Sequence, residues 1–85
     1  MINTALFDVN VILDWLLERE PFREFAESVI EPVIYGRIKG YVASHSLTNI
    51  FYILRKEFSV EQRQEIILMI CRRFEIISAV FSNAK

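Results

Sequence analysis

The chain has 85 residues, of which 53% are hydrophobic and 25% are charged, so it can form one small domain and its composition argues against intrinsic disorder. Ten Lys and Arg residues nearly balance eleven Asp and Glu residues, which excludes a domain that binds nucleic acid by bulk positive charge. The single Cys71 excludes an intramolecular disulfide framework. We find no membrane-spanning run and no signal peptide, so the sequence predicts a cytoplasmic protein with no membrane association.

The amino-terminal segment predicts a strand followed by a helix. Ala5-Leu6-Phe7 is a short apolar run that ends at Asp8, as is typical of a buried parallel strand. From Val9 onward the apolar residues recur at helical spacing, and Asn10 is a candidate cap for this helix.

The next segment predicts a second helix with an apolar stripe and a proline inside it. The proline, Pro32, predicts a kink or a break because it removes a backbone donor. Gly36 and Gly40 then bound the exit from this helix. The stripe consists of Phe22, Phe25, Ala26, Val29, Ile30 and Val33.

The remaining segments repeat the alternation of strand and helix. Residues 41–43 predict a second strand, and Ser44 and Ser46 are candidate caps for a third helix. Residues 59–62 have the form of a capping box and open a fourth helix, and residues 75–77 predict a third strand. The order β-α-α-β-α-α-β predicts an α/β fold with a short parallel sheet and helices on both faces. We expect one domain over residues 1–80 and a frayed tail over residues 81–85.

Polar residues that follow the first two strands form a candidate site. Ligands of open α/β sheets bind beyond the carboxyl ends of the strands, where Asp8 would meet the first turn of the third helix if the two strands are neighbours. Oxygen ligands of this kind can hold a hard cation. Alternatively, Asp8 is only a turn or cap residue that accepts backbone hydrogen bonds. The polar residues of the helix turn are Ser44, Ser46, Thr48 and Asn49.

Structural roles are expected for the other polar candidates. His45 reads as a partly exposed loop residue that has no second His at ligand spacing. Asp14 and Glu18 are like charges one turn apart and indicate a solvated helix face. Cys71 has apolar neighbours and is expected to fill the core.

Two segments together resemble PIN domains, specifically the group related to VapC-type toxins. Residues 6–14, followed by residues 18–22, resemble the opening of that group, and residues 40–56 look like its second strand and third helix. The resemblance covers about residues 3–78. It implies a metal-dependent ribonuclease that uses Mg²⁺ or Mn²⁺ to activate water against an RNA phosphodiester. It also implies that Asp8 is the first catalytic and metal-binding acid, supported by Asn10, and that an antitoxin protein is a possible partner.

The chain departs from the family pattern at the acids beyond Asp8. Asn49 stands where many members carry a second acid, and the segments that supply further acids would follow the third strand. The sequence therefore predicts a PIN fold that is truncated at its carboxyl end, with little or no ribonuclease activity. An uncovered sheet edge and apolar helix faces predict a homodimer.

Two other functions remain open at this point. One is a non-catalytic remnant that serves as a protein-interaction or oligomerisation module. The other is a flavodoxin-like signalling domain with Asp8 as the phosphoacceptor, although the expected cluster of acids and the later Lys are not visible.

Overall fold

The α/β class and the predicted order of strands and helices are confirmed. A computed structural model describes residues 4–78, so the expected domain limit at residue 80 and the frayed tail lie outside the described residues. The elements are β1 (Thr4–Leu6), α1 (Val9–Leu16), α2 (Arg23–Ile34), β2 (Lys39–Ala43), α3 (Ser44–Ile53), a 3₁₀ turn (Leu54–Lys56), α4 (Val60–Arg73) and β3 (Glu75–Ile77).

The sheet contains three parallel strands in the order β1-β2-β3. Leu6 of β1 lies opposite Tyr41, and Ala43 of β2 lies opposite Ile77. Because the strands are parallel, their carboxyl ends share one edge of the sheet, and Asp8 and α3 follow two adjacent strands there. Among the described strands, none pairs with the outer edge of β1.

One apolar core joins the helices to the sheet. Phe7 and Phe74 meet edge to face inside it, with ring centroids 5.5 Å apart and planes at 84°. Cys71 is exposed, so its expected place in the core is wrong. The reason is helical rotation, since Ile70 takes the inward position and the next residue turns away by about 100°. The most deeply buried side chains are Ile12, Leu13, Ile30, Val42, Ile50, Leu54 and Ile70.

Helix capping agrees with the sequence at α4 and differs at α3. The Gln62 backbone N–H donates to Ser59 Oγ at 3.2 Å, and the Ser59 N–H donates to Gln62 Oε1 at 2.9 Å, which confirms the capping box. The cap of α3 is Ala43, which makes no side-chain bond, so neither Ser44 nor Ser46 caps this helix. The helix starts directly after β2 and leaves no loop residue for a cap.

Asp8, rather than Asn10, caps α1. The Asn10 backbone N–H donates to Asp8 Oδ2 at 3.1 Å, so the predicted cap lies two residues too late. The reading of Asp8 as a cap residue is therefore confirmed, and it leaves open whether Asp8 also binds a cation.

Two features of α2 differ from the sequence pattern. The helix continues past Pro32 to Ile34 without a break, because the proline lies in the last turn, where one lost backbone bond does not end the helix. Phe22 and Phe25 are 56% and 63% exposed, so the buried stripe is narrower than the sequence pattern suggests. The inward residues of the stripe are Ala26, Ile30 and Val33.

Candidate functional site

Asp8 combines a structural contact with an available carboxylate oxygen. It lies at the carboxyl end of β1, its side chain is exposed, and Oδ2 accepts the α1 capping bond. Among the described residues, Oδ1 makes no hydrogen bond, so the start of α1 orients the carboxylate through Oδ2 and leaves Oδ1 without a partner in this part of the chain. A carboxylate that is oriented in this way can accept a cation on its free oxygen.

A small cavity lies between Asp8 and the start of α3. We call it the strand-end cavity; it has a volume of about 240 Å³ and also contacts Ala43, His45 and Ser46. Ser46, which lines this cavity, is a buried residue at 6% exposure. The structure thus brings Asp8 and Ser46 together, as the neighbouring strands predict. Leu6 and Phe7 complete the lining.

His45 belongs to the same cavity, which the sequence did not indicate. It is exposed as expected, but it lies in the first turn of α3 rather than in a loop. The signal for this placement was its position directly after the end of β2, which in a parallel sheet is the edge that Asp8 shares.

The other candidate side chains are spread around this cavity rather than collected in it. Ser44, Thr48 and Asn49 are exposed and do not line the cavity. Asn49 lies about 60° around α3 from Ser46, whereas Thr48 lies about 200° away, on the other side of the helix. Among residues 4–78, no group of three or more His, Cys, Asp or Glu residues is arranged to hold a metal ion.

A second polar cavity lies beside Asn10. We call it the loop cavity; it has a volume of about 320 Å³ and is lined by Asn10, Asp14, Arg19 and Phe22. Arg19 Nε lies 3.0 Å from Asp14 Oδ1, and the Asp14 side chain is only 15% exposed. The expected solvated position is therefore wrong for Asp14, because Arg19 covers it, and holds for the exposed Glu18.

The loop that leads into α2 carries a surface ion-pair network. Arg23 Nε lies 2.8 Å from Glu20 Oε2, and Arg23 Nη1 lies 3.4 Å from Glu27 Oε2. The hydrogen bond that Arg23 donates to Glu20, together with the charges of both glutamates, raises the pKa of the Arg23 guanidinium above its ordinary value. Since these groups are solvated, we expect the network to orient the loop rather than to stabilise the fold strongly.

A comparison with protein families identifies the family of the chain that carries these two cavities. A family model described as PIN domain matches residues 4–85. The chain belongs to the PIN domain family. Comparisons with curated proteins and with solved structures gave no match.

Membership of the PIN domain family indicates a nuclease-type function that acts on RNA. The three-stranded parallel sheet and its four helices are consistent with a PIN-like fold. No helix of this PIN domain within residues 4–78 is long and apolar enough to cross a bilayer.

Proposed function

We propose that this PIN domain is a VapC-like toxin ribonuclease domain in which Asp8 binds Mg²⁺ or Mn²⁺ for hydrolysis of RNA phosphodiesters. The observation that carries the proposal is the free Oδ1 of Asp8 at the carboxyl edge of the sheet, beside the buried Ser46. We expect the protein to act in the cytoplasm, where RNA is its substrate and an antitoxin is its regulatory partner.

The described residues fit one weakly held divalent ion. Mg²⁺ is commonly bound through one or two carboxylates and keeps several waters, which Asp8 and the Ser46 hydroxyl can accommodate. A bound ion of this kind supplies Lewis-acid polarisation of a phosphate oxygen and a more acidic water. A two-metal centre needs several bridging acids, and residues 4–78 contain no such cluster.

The protein's own side chains have distinct parts in this proposal. Asp8 supplies the negative charge, and Asn10 supports it through the backbone N–H that fixes Oδ2. Ser46 supplies a hydroxyl at the wall of the strand-end cavity. Ser44, Thr48 and Asn49 remain predicted supporting residues, with Asn49 nearest to the cavity face of α3 and bringing an amide instead of a charge.

We expect little or no RNA hydrolysis by residues 1–85 alone, because one carboxylate cannot both hold the metal firmly and orient the attacking water. The test incubates the chain with single-stranded and structured RNA in Mn²⁺ or EDTA and compares the products on a gel. Metal-stimulated cleavage that disappears in Asp8→Ala would contradict the expected inactivity, while showing that Asp8 is catalytic.

A protein-interaction module is the second candidate function, and exposed apolar surface favours it. A groove of about 480 Å³ runs along β1 and α2, and it is bordered by Leu6 and Phe25, which are 68% and 63% exposed. Exposed apolar patches next to an open strand edge are typical of interaction surfaces. We therefore propose a homodimer through this side of the molecule, and an antitoxin would compete for the same side.

Leu6→Lys is expected to shift the chain from dimer to monomer in sedimentation velocity experiments across a range of concentrations. A lysine on an edge strand opposes pairing because its charge would have to be desolvated. Leu68→Lys is the matched control, since Leu68 is 53% exposed on α4, away from the groove. A monomeric mass for the unmodified chain at every concentration refutes the dimer.

A further inference from the structure

We infer that the loop cavity binds one unstacked RNA base beside the phosphate held at Asp8, with adenine as the preferred base. The inference deepens the proposed ribonuclease function and rests on it for the identity of the ligand as RNA. The cavity volume of about 320 Å³ lies at the small end of ligand sites, which suits a single planar group.

Phe22 offers a stacking surface at this cavity. Its side chain is 56% exposed although the sequence pattern predicts it to be inward, and it is not among the residues packed against the core. Proteins that recognise single-stranded RNA stack splayed-out bases on exposed aromatic rings. The ring of Phe22 is available for this purpose without any rearrangement of the core.

Asn10 and Asp14 can read the edge of such a base. They lie four residues apart on α1 and therefore on one face of the helix. Among the described residues, the Asn10 side-chain amide makes no hydrogen bond, so its donor and its acceptor are both available. An amide pairs in this bidentate way with adenine, and the Asp14 carboxylate favours an edge that carries an amino group over one that carries only carbonyls.

The cavity is built before any ligand arrives. Arg19 is held twice by Asp14, through its Nε at 3.0 Å from the carboxylate and through its backbone N–H, which donates to the Asp14 carbonyl at 3.0 Å. The Phe22 N–H donates to the Arg19 carbonyl at 2.9 Å, which fixes the ring relative to the ion pair. Glu18 takes a left-handed φ of 52° at this turn, and such backbone strain is common at functional sites.

The loop cavity lies next to the proposed cleavage site at Asp8. Asn10 lines the loop cavity, and its backbone N–H is bonded to the Asp8 carboxylate at 3.1 Å. A base that contacts the Asn10 amide therefore belongs to a nucleotide next to the phosphate at Asp8. The loop cavity would thus select the nucleotide at which an RNA strand is presented to Asp8.

The test measures binding of fluorescein-labelled hexamers of adenylate and uridylate by fluorescence anisotropy in EDTA, so that neither metal nor cleavage contributes. The adenylate hexamer is expected to bind more tightly, and Phe22→Ala is expected to weaken its binding about 10-fold. Tyr35→Ala is the matched control, because Tyr35 is also an exposed aromatic residue, at 69%, but lies at the other end of α2 and does not line the loop cavity, and its effect is expected to be under about 2-fold. Phe22→Tyr keeps a stacking ring and is expected to restore the affinity.

Three results would overturn the inference. They are no binding of either hexamer, an equal loss of adenylate affinity in the two alanine variants, or tighter binding of the uridylate hexamer than of the adenylate hexamer. Circular dichroism of each variant checks that the fold is retained. Because the measurement excludes metal, base binding that depends on Phe22 would stand even if the chain never cleaves RNA. Conversely, cleavage that requires Asp8 without any effect of Phe22 would leave the proposed function standing and remove the base site.

Discussion

Replacing Asp8 by asparagine is expected to abolish Mn²⁺ binding while the chain stays folded. Asparagine caps helices about as well as aspartate, so the bond to the Asn10 N–H can be retained and the start of α1 preserved. The substitution removes the negative charge, and a neutral amide with one hydroxyl neighbour is a poor ligand set for a divalent cation. Electron paramagnetic resonance of free and bound Mn²⁺ measures the loss directly.

Glu31→Gln is the matched control for this experiment. Glu31 is an exposed carboxylate on α2 that lines neither polar cavity, so its replacement changes the net charge equally without touching the site. Asp8→Ala adds a second comparison, because it also removes the cap and is expected to cost about 1 kcal/mol in the free energy of unfolding. If Asp8→Asn and Glu31→Gln bind Mn²⁺ equally well, Asp8 is a cap residue only and the metal proposal is wrong.

The fold was predicted from sequence patterns that each span only a few residues. The Ser59 and Gln62 pair forms its two reciprocal bonds because both partners lie within one helical turn. Residues 75–77 form the third strand as predicted, and the alternation of strands with helices fixed the parallel sheet. The meeting of Asp8 with the start of α3 then follows from two adjacent parallel strands.

The errors arose where tertiary packing decides between local alternatives. Asn10 and Asp8 are both good caps, and only the end point of β1 selects Asp8. Phe22 and Phe25 have the spacing of inward residues, but both are exposed. The residues of α2 that are buried are Ala26, Ile30 and Val33. Apolar spacing defines a face of a helix without showing how much of that face its neighbours cover.

The loop cavity was beyond sequence reasoning for a different reason. Asp14 and Arg19 are five residues apart, a separation at which helical neighbours do not normally meet. Their contact depends on the helix ending at Leu16 and on the left-handed backbone of Glu18, which turns the chain back onto α1. Glutamate seldom takes that conformation, so the residue types in the loop do not predict the turn.

Gly40→Ala is expected to lower the free energy of unfolding by about 1–3 kcal/mol, as overpacking of a filled core does. A Cβ atom at this position in β2 would lie 2.8 Å from Phe74 Cδ2 and 2.9 Å from Val33 Cγ2. Phe74 is buried and packs edge to face on Phe7, so its ring has little room to withdraw. Urea unfolding followed by circular dichroism gives the change for each variant.

A double-mutant cycle separates this clash from any preference of the backbone for glycine. Phe74→Leu removes the ring atoms that the new methyl group would meet, so Gly40→Ala is expected to cost less in that background, with a coupling of about 0.5–3 kcal/mol. Gly36→Ala is the contrasting control, because its site is open and its φ of 79° makes any cost one of the backbone alone. Equal costs of Gly40→Ala in both backgrounds would refute the clash with the Phe74 ring and leave the contact with Val33 Cγ2 as its cause. Phe74 also packs on Phe7, the residue that precedes Asp8. If the two substitutions are coupled, displacement of the Phe74 ring by Gly40→Ala is therefore expected to weaken Mn²⁺ binding at Asp8 as well.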